Sequence, residues 1–230
     1  MPPLVSIIIP VRGDAARLSD LLTALGPDVG THVEVFVSAA TPVDERLAEV
    51  RERYANVTWV ESAPGRGAQL NAGAAPATGR WLWFVHADCR LPEGWLAAFQ
   101  ALETQRDVVG GAFTFALDSS AWQARLLERV VALRARWLDM PYGDQGIFVR
   151  RAMFESMGGF ASVPLMEDVE FVRRLTRTGR LRHLTLRLTT SARRWEREGW
   201  LRRSLANLTT LSLYALGVSP ERLARRYYEE

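Results

Sequence analysis

The stretch Trp81-Leu-Trp-Phe-Val-His-Ala-Asp-Cys-Arg-Leu-Pro92 decides the fold that we predict for this chain. Its first five residues are apolar, the apolar run ends abruptly at His86-Ala87-Asp88, and Pro92 begins a predicted helix. A short, fully apolar run with such bounds predicts a central strand of a sheet that is covered on both faces. Ligands of open α/β sheets bind where strands end, and a carboxylate there can hold a divalent cation that grips phosphate. Asp88 is a candidate for that role, although it could instead only cap the following helix.

Strands and helices alternate before this stretch. Such alternation is typical of right-handed βαβ units and a parallel sheet, so we predict that residues 1–90 form a nucleotide-binding half. The predicted strands are Leu4–Pro10, Val33–Val37 and Val57–Val60, and the predicted helices are Gly13–Leu25, Asp44–Tyr54 and a short helix within Gly65–Gly73.

The pattern changes after Asp88, where we predict an acceptor-binding and catalytic half over residues 91–195 and a helical tail over 196–230. Val108–Leu117 alternates like an edge strand or a strand of a mixed sheet. We therefore expect a single α/β domain with a mostly parallel, doubly wound central sheet and helices on both faces. The other predicted elements are helices at Pro92–Leu102, Trp122–Leu138 and Pro164–Thr176, a turn and strand in Tyr142–Val149, at least one strand in Arg182–Trp195, and a helical Trp200–Tyr228 broken near Gly217–Pro220.

Composition indicates a globular protein with a substantial core, because 48% of the residues are hydrophobic and 24% are charged. Cys89 is the only cysteine, which excludes an internal disulfide framework and fits a reducing compartment. No apolar run approaches the length of a membrane span, and Leu4–Pro10 is too short for a secretory signal. We therefore expect a cytoplasmic protein.

Every basic side chain apart from the three histidines is an arginine. A chain without lysine cannot use the P-loop lysine of nucleotide hydrolysis or form a lysine Schiff base. The charge is also uneven, since the part from Arg173 onward contains 14 arginines and 5 glutamates. This basic quarter predicts contact with phosphates or peripheral contact with the inner face of an anionic membrane, and a solvated helix surface is an equally good interpretation.

Two arginine motifs are candidates for binding phosphate. Gly65-Arg66-Gly67 lies between a predicted strand and a predicted helix, where backbone amides attract anions and the Arg66 guanidinium suits phosphate. A turn that needs glycine for its backbone is the alternative. Arg193-Arg194-Trp195 places two guanidinium groups beside an aromatic ring, which suits a diphosphate and a ring, although a surface cation–π pair is the commoner arrangement.

An acidic pair is the candidate for proton transfer. Asp168 precedes Phe171, Val172 and Leu175 at helical spacing, so it lies on the apolar stripe of its predicted helix. Desolvation of Asp168 beside Glu167 would raise the pKa of Asp168 towards that of a useful general base. The alternative is that both acids only stabilise the first turn of the helix through its dipole.

Gly143-Asp144-Gln145-Gly146 is a polar turn ahead of an apolar strand. It could present Asp144 and Gln145 to hydroxyl groups of a substrate, or it could be an ordinary turn. The three histidines, by contrast, have no spacing that is typical of a metal site.

These motifs, in their order along the chain, resemble those of the family 2 glycosyltransferases, which have the GT-A fold. The resemblance covers most of the chain. Through His86-Ala87-Asp88 and Gly143–Gly146 it narrows to a small bacterial subgroup often associated with arsenosugar or selenium-related gene neighbourhoods. The other motifs that carry it are Ser6–Pro10, Gly65–Gly73, Glu167-Asp168 and Arg193-Arg194-Trp195.

The resemblance implies a metal-dependent, inverting hexosyltransferase with a nucleotide-sugar donor, UDP being common among the relatives. Asp168 would deprotonate the acceptor hydroxyl with support from Glu167, and Asp88 would bind Mn²⁺ or Mg²⁺ at the donor diphosphate. The acceptor would be a small molecule or lipid-linked, with no nucleic-acid partner, and the oligomeric state is left open. Further donor contacts are expected from Pro10, Val11, Arg12, Arg66, Gln69, Asn71, Ala87, Arg193 and Arg194, and acceptor contacts from Asp144, Gln145 and Trp195.

The sequence departs from the family pattern at three places. Ser38-Ala39-Ala40 stands where an acidic residue usually holds the nucleobase or ribose, and His86-Ala87-Asp88 leaves one carboxylate at the metal site. Ser191 replaces the first residue of the motif that processive members carry ahead of Arg194-Trp195, so we expect a single transfer rather than polymer synthesis.

A binding protein that keeps the fold without turnover is the main alternative, and Ser38-Ala39-Ala40 motivates it. A sugar nucleotidyltransferase would need a Gly-rich loop with Arg and Lys after the first strand, and Val11-Arg12-Gly13-Asp14 in a chain without lysine argues against it. Nucleic-acid binding through the arginine-rich C-terminus lacks a recognised module.

Overall fold

A seven-stranded sheet forms the centre of the computed structural model, which describes residues 2–30 and 32–229. The strand order is β3-β2-β1-β4-β6-β5-β7. All neighbours are parallel except that β6 runs antiparallel to both β4 and β5. The predicted, mostly parallel sheet is confirmed. The strands are β1 Val5–Val11, β2 Val33–Ala40, β3 Thr58–Ser62, β4 Trp81–Phe84, β5 Val108–Leu117, β6 Phe148–Arg150 and β7 Arg180–Thr190.

Helices cover both faces of this sheet, as predicted. Side chains alternate across a strand, so Ile7 and Ile9 of β1 pack in one core cluster and Ile8 packs in another. None of the described helices is long and apolar enough to cross a membrane. The helices are α1 Ala15–Leu25, α2 Glu45–Arg53, α3 Arg66–Ala74, α4 Trp95–Leu102, α5 Trp122–Leu138, α6 Arg151–Ser156, α7 Glu167–Leu175, α8 Arg193–Glu198, α9 Trp200–Ala215 and α10 Pro220–Glu229, and Gly143–Gln145 forms a short 3₁₀ turn.

Strand β4 is central, as its apolar sequence predicts. All four of its side chains are buried, and it lies between β1 and β6. The Trp83 ring stacks on Phe113 with ring centroids 4.6 Å apart, and its indole N–H donates to the Gly146 carbonyl at 3.1 Å. Burying a large apolar side chain stabilises the fold by about 1.5–3 kcal/mol, so this strand anchors the polar turn that precedes Gly146.

Strand β5 lies inside the sheet rather than at its edge, between β6 and β7. It is parallel to β7 and antiparallel to β6, which makes this half of the sheet mixed. Close approach of the strands explains its glycines, because a Cβ at Gly111 would collide with the backbone of Arg182 on β7. Helix α6 was not predicted, and α7 begins three residues after the predicted start at Pro164.

The tail beyond β7 consists of three helices. Gly217 has a φ of 89°, which breaks the helical stretch where the sequence predicts a break. Leu223 and Ala224 of α10 are buried, so the last helix is packed against the protein. None of the residues of α9 is buried.

Candidate functional site

A small cleft lies at the edge of the sheet where β4 ends. Helices α3 and α7 direct their N-terminal turns towards it, and the 3₁₀ turn Gly143–Gln145 closes one side. We call it the strand-end cleft. Its lining residues are Arg66, Leu70, Phe84, His86, Gly143, Ile147, Phe160 and Asp168.

Arg66, the first residue of α3, lies at the centre of the cleft. Its Nε atom is 3.3 Å from Oε1 of Glu167, and its guanidinium contacts Nε2 of His86. Burial alone would lower the pKa of Arg66, but the carboxylates of Glu167, Asp168 and Asp144 raise it. The guanidinium of Arg66 therefore stays positively charged beside three acids. It also lies at a helix N-terminus, which itself favours anions.

His86 is an uncharged residue in this setting. Burial, and then the positive charges of Arg66 and Arg194, hold its pKa well below 6.5. A guanidinium can only donate, so Nε2 of His86 is the acceptor and the ring proton lies on Nδ1. Arg194 therefore lies within electrostatic reach of His86, and its contact with a diphosphate stays a prediction.

The acidic pair begins helix α7. Oδ2 of Asp168 accepts a hydrogen bond from the Gly143 amide at 2.7 Å, and Oδ1 accepts one from the Val169 amide at 2.8 Å. Glu167 is almost fully buried, and burial raises its pKa while Arg66 opposes that rise. The predicted stripe is present, because Phe171 and the other apolar residues of the helix are buried below Asp168.

Gly143 permits this arrangement because its neighbours leave no room for a side chain. A Cβ at Gly143 would lie 2.9 Å from Oδ2 of Asp168 and would collide with the Arg66 guanidinium. The turn also carries Asp144, whose Oδ1 is buried and has no hydrogen-bond partner among the described residues. Burial raises the pKa of Asp144, and Arg134 opposes that rise.

Gln145 lies in the interior of the turn. Its Oε1 accepts from the Tyr142 amide at 3.1 Å and from Arg134 at 3.2 Å, and its Nε2 donates to the Phe113 carbonyl at 3.4 Å. Trp195 lies outside this turn, and its ring stacks near the Trp200 ring at a centroid distance of 6.5 Å. Contact of either side chain with an acceptor stays a prediction.

The predicted donor residues Gln69 and Asn71 bind backbone groups. Nε2 of Gln69 donates to the carbonyls of Val11 at 2.7 Å and Ser38 at 3.0 Å, which ties the ends of β1 and β2 together. The Asn71 amide forms two hydrogen bonds of 2.9 Å with the backbone of Phe160. Neither side chain lines the strand-end cleft, and their contact with a donor stays a prediction.

The predicted nucleobase border lies at the end of β1. Pro10 is opposite Ser38 in the parallel register, and Val11 is opposite Ala39. Arg12 is exposed just beyond the strand. The Oγ atom of Ser38 is buried and has no partner among the described residues, so this position presents a hydroxyl rather than a carboxylate.

Asp88 follows β4 and is half-buried, next to Ala87, which is buried. Burial raises the pKa of Asp88, Arg17 opposes that rise, and Asp14 adds to it. Asp14 forms an ion pair with Arg193, in which Nη2 of the arginine lies 2.8 Å from Oδ2 of the aspartate. In the described part of the chain, no three His, Cys, Asp or Glu side chains lie close enough together to hold a metal ion.

Sequence reasoning missed two residues near the site. Asp14 follows Gly13 after the first strand and has a φ of 62°, and no pattern in the sequence distinguishes it from a turn residue. Tyr228 of α10 has a raised pKa, first because of partial burial of its hydroxyl and then because of the charge of Glu167. The last helix therefore brings a phenol within electrostatic reach of the strand-end cleft.

Several solved structures share this fold. The mannosyltransferase PcManGT from Pyrobaculum calidifontis, in complex with GDP-Man and Mn²⁺, has 17% identity and a TM-score of 0.60, covering 82% of this chain and 57% of that chain. TarS of S. aureus, residues 1–349 with UDP-GlcNAc, has 17% identity and a TM-score of 0.61, covering 82% of this chain and 58% of that chain. A mycobacterial protein has 19% identity and a TM-score of 0.56, covering 82% of this chain and 65% of that chain.

The chain thus spans somewhat more than half the length of these structures. Among curated proteins, no sequence matches it. The family model described as glycosyl transferase family 2 matches residues 6–162, which include β1, the Arg66 helix, the end of β4 and the Gly143–Gln145 turn. Because that match extends over more than half of the sequence, the chain belongs to glycosyl transferase family 2.

Proposed function

We propose that this protein transfers a hexosyl group from a nucleotide-sugar donor to an acceptor hydroxyl, once per binding event and with inversion at the anomeric carbon. The observation that carries the proposal is the position of Asp168. Its carboxylate is held by the Gly143 amide at 2.7 Å in the same cleft as Arg66 and His86. A positioned carboxylate beside an arginine at a helix N-terminus suits glycosyl transfer to a hydroxyl.

In this proposal Asp168 is the general base. It accepts the proton of the acceptor hydroxyl while that oxygen attacks the anomeric carbon from the side opposite the departing diphosphate, which inverts the configuration. Glu167 is less suited to the role, because it is buried and paired with Arg66 at 3.3 Å. Its function is to hold Arg66, which together with Arg194 would stabilise the negative charge of the diphosphate.

We further propose that Asp88 binds Mn²⁺ or Mg²⁺. Mg²⁺ is often held by one or two carboxylates together with substrate phosphates, so one carboxylate without an ion pair among the described residues fits a cation that arrives with the donor. When bound, such a cation would neutralise the charge of the leaving diphosphate. Mn²⁺ in the PcManGT complex supports this part of the proposal.

We also propose the chemical class of the donor and of the acceptor. PcManGT holds GDP-Man and TarS holds UDP-GlcNAc, which supports a nucleotide-sugar donor, and we propose UDP as the nucleotide. The acceptor would be a small molecule or a lipid-linked one, with the C-terminal helices at a membrane surface. His86-Ala87-Asp88 together with Gly143–Gly146 supports membership of the small bacterial subgroup named above.

Thermal unfolding with nucleotides tests the donor and the metal together. We expect one of UDP, GDP and TDP to raise the melting temperature in the presence of Mn²⁺, because a ligand of the folded state stabilises it by mass action. Asp88→Ala should lose that rise, whereas Asp107→Ala, an exposed acid paired with Arg180, should keep it. A rise that persists without metal and in Asp88→Ala would contradict the metal proposal.

A binding protein without turnover is the second candidate, because Ser38 offers no carboxylate to the nucleobase or ribose. Both candidates predict a thermal shift with a nucleotide. They differ in turnover, since only the enzyme releases free nucleoside diphosphate from a nucleotide sugar over time.

A further inference from the structure

Helix α5 exposes a continuous stripe of large apolar side chains. Trp122, Leu126, Val130, Leu133 and Trp137 are spaced four, four, three and four residues apart, so they lie on one face of the helix. All five are exposed, Trp122 at 70% and Trp137 at 79% of the residue surface. At 1.5 Å per residue, the stripe is about 22 Å long.

The opposite face of α5 packs on the protein through small residues. Ala124 and Ala135 are buried there together with Val131. Glu128 is also buried on this side, where it binds the Leu117 amide at 2.8 Å and Arg187 at 2.7 Å. Helix α5 therefore buries the charged side chain of Glu128 and exposes its largest apolar side chains. An ordinary surface helix does the reverse.

Helix α9 continues this exposed apolar surface. Leu201, Leu205 and Leu208 share one face of the helix and are all exposed. The two helices meet at one small cluster, in which Leu127 of α5 and Trp200 of α9 pack against the same buried residues. The two stripes therefore extend from the same part of the molecular surface.

The charge around these stripes is positive. Arg129 and Arg136 of α5 are exposed beside its stripe, and Arg202 is exposed on α9, which contains no acid. The one acid of α5 is the buried Glu128, and Asp139 just beyond the helix is paired with His183 at 2.7 Å. Two copies packed stripe to stripe would oppose these arginines with no exposed acid of α5 or α9 to pair them, which disfavours a dimer.

We propose that α5 and α9 dock this protein on an anionic lipid surface, with both helices lying in the membrane interface. A helix with an apolar face, flanking arginines and tryptophans is typical of such binding, and tryptophan favours the interface between headgroups and acyl chains. The inference goes beyond the basic tail, because α5 precedes it and presents the larger apolar area.

Docking through α5 has a consequence for the cleft. Arg134 of this helix donates to Oε1 of Gln145 at 3.2 Å and lies over the Tyr142 ring at 3.6 Å, so α5 supports the turn that carries Asp144. A membrane-borne acceptor would then be presented at this turn. This consequence and the contribution of α9 rest on the proposed function, whereas docking through α5 does not.

A fluorescent probe tests the docking without any need for activity. Cys89 is buried and burial raises the pKa of its thiol to about 12, so a cysteine introduced at the surface can be labelled selectively. We would attach an environment-sensitive probe to Leu133→Cys on the stripe and, as the matched control, to Glu49→Cys on the exposed side of α2.

With phosphatidylcholine vesicles that contain phosphatidylglycerol, we expect a blue-shifted and brighter emission from the probe at position 133 and no change at position 49. The absence of a change at position 133 would overturn the proposal. So would a shift that occurs without vesicles in a protein that sediments as a dimer, because a second copy would then cover the stripe.

Vesicle co-sedimentation with paired variants measures each contribution. Arg129→Gln with Arg136→Gln should weaken binding roughly 30-fold, if each arginine contributes as basic residues usually do at an anionic surface. Trp122→Ser with Trp137→Ser should abolish binding, and neither pair should lower the melting temperature, because all four side chains are exposed. Full binding by the tryptophan pair would overturn the proposal.

Discussion

Asp144 is a buried carboxylate whose ionisation lowers the stability of the fold. Its Oδ1 is buried without a hydrogen-bond partner among the described residues, and burial raises its pKa above the ordinary value of 3.8. Because the folded state binds this proton more tightly than the unfolded chain does, ionisation of Asp144 destabilises the fold progressively as the pH rises past 3.8. That cost is complete once the pH lies above the raised pKa of the folded state.

We therefore expect Asp144→Asn to be more stable than the wild type at pH 7, by about 1 kcal/mol, or roughly 2–4 °C in melting temperature. The gain should disappear below the ordinary carboxyl pKa of 3.8, where both side chains are neutral. Thermal unfolding at several pH values measures it, with Asp20→Asn on the exposed side of α1 as the control. A variant that is less stable at pH 7 would show that Asp144 forms a favourable contact.

Arg66 is the residue that we expect to bind phosphate. Arg66→Gln should weaken the binding of the matching nucleoside diphosphate roughly 10- to 100-fold, because hydrogen bonds to charged groups contribute about 1.5–3 kcal/mol each. Isothermal titration measures this affinity. The control is Arg51→Gln on α2, which removes an exposed ion pair with Glu61 of β3. This variant should bind the nucleotide as the wild type does. Equal affinity in both variants would remove Arg66 from the donor site.

At the level of elements, the Gly143–Gln145 turn and the first turn of α7 form one unit. The Gly143 amide holds Asp168, and a Cβ at Gly143 would lie 2.9 Å from the carboxylate it holds. Gly143→Ala should therefore displace Asp168 and reduce turnover by about 100-fold, since a misplacement of about 1 Å can have that effect. The nucleotide affinity should fall as well, because the same Cβ would collide with the Arg66 guanidinium.

Gly26→Ala is the matched control for this substitution. Gly26 follows α1, where a Cβ would come no closer than 3.4 Å to the carbonyl of Thr23. Steady-state measurement of nucleotide release by both variants separates the site from a general effect of adding a methyl group. Unchanged turnover in Gly143→Ala would mean that the position of Asp168 does not control the reaction.

The bounds of helix α5 could be predicted from the sequence, but the face that it buries could not. Its predicted bounds, Trp122–Leu138, are those of the structure. The direction of its apolar residues was not predictable from spacing, because Val131 is buried and Val130 is exposed although both belong to the same apolar pattern. Periodicity indicates a helix, and the side that faces the protein depends on which small residues and buried acids the sheet can accommodate.

For the whole molecule, the alternation of strands and helices was enough to predict the parallel arrangement of β1 to β4, because consecutive βαβ units leave few topologies. The position of β6 between β4 and β5 was not predictable, since Phe148–Arg150 is short and its partners are distant in sequence. The cleft depends on this placement, because β6 follows the turn that holds Asp168.

The positions of Asp88 after β4 and of Asp168 in the first turn of α7 were predictable, because each lies next to an element boundary, and their roles stay predictions. Asp14 and Tyr228 were missed because their positions depend on tertiary packing: Asp14 on its ion pair with Arg193, and Tyr228 on the return of α10 to the protein. The sequence offers no local signal for either contact.

Release of nucleoside diphosphate from nucleotide sugars tests the central claim most directly, namely that Asp168 is the base of a glycosyl transfer. UDP-, GDP- and TDP-hexoses would be incubated with Mn²⁺ and either wild type or Asp168→Asn, with water as the acceptor where no other is known. We expect release from one donor by the wild type and a rate about 10²- to 10⁴-fold lower in Asp168→Asn, since general base catalysis typically contributes that much. The thermal shift with the same nucleotide should persist in the variant. Release at the wild-type rate by Asp168→Asn, or no release from any donor by the wild type, would contradict the account.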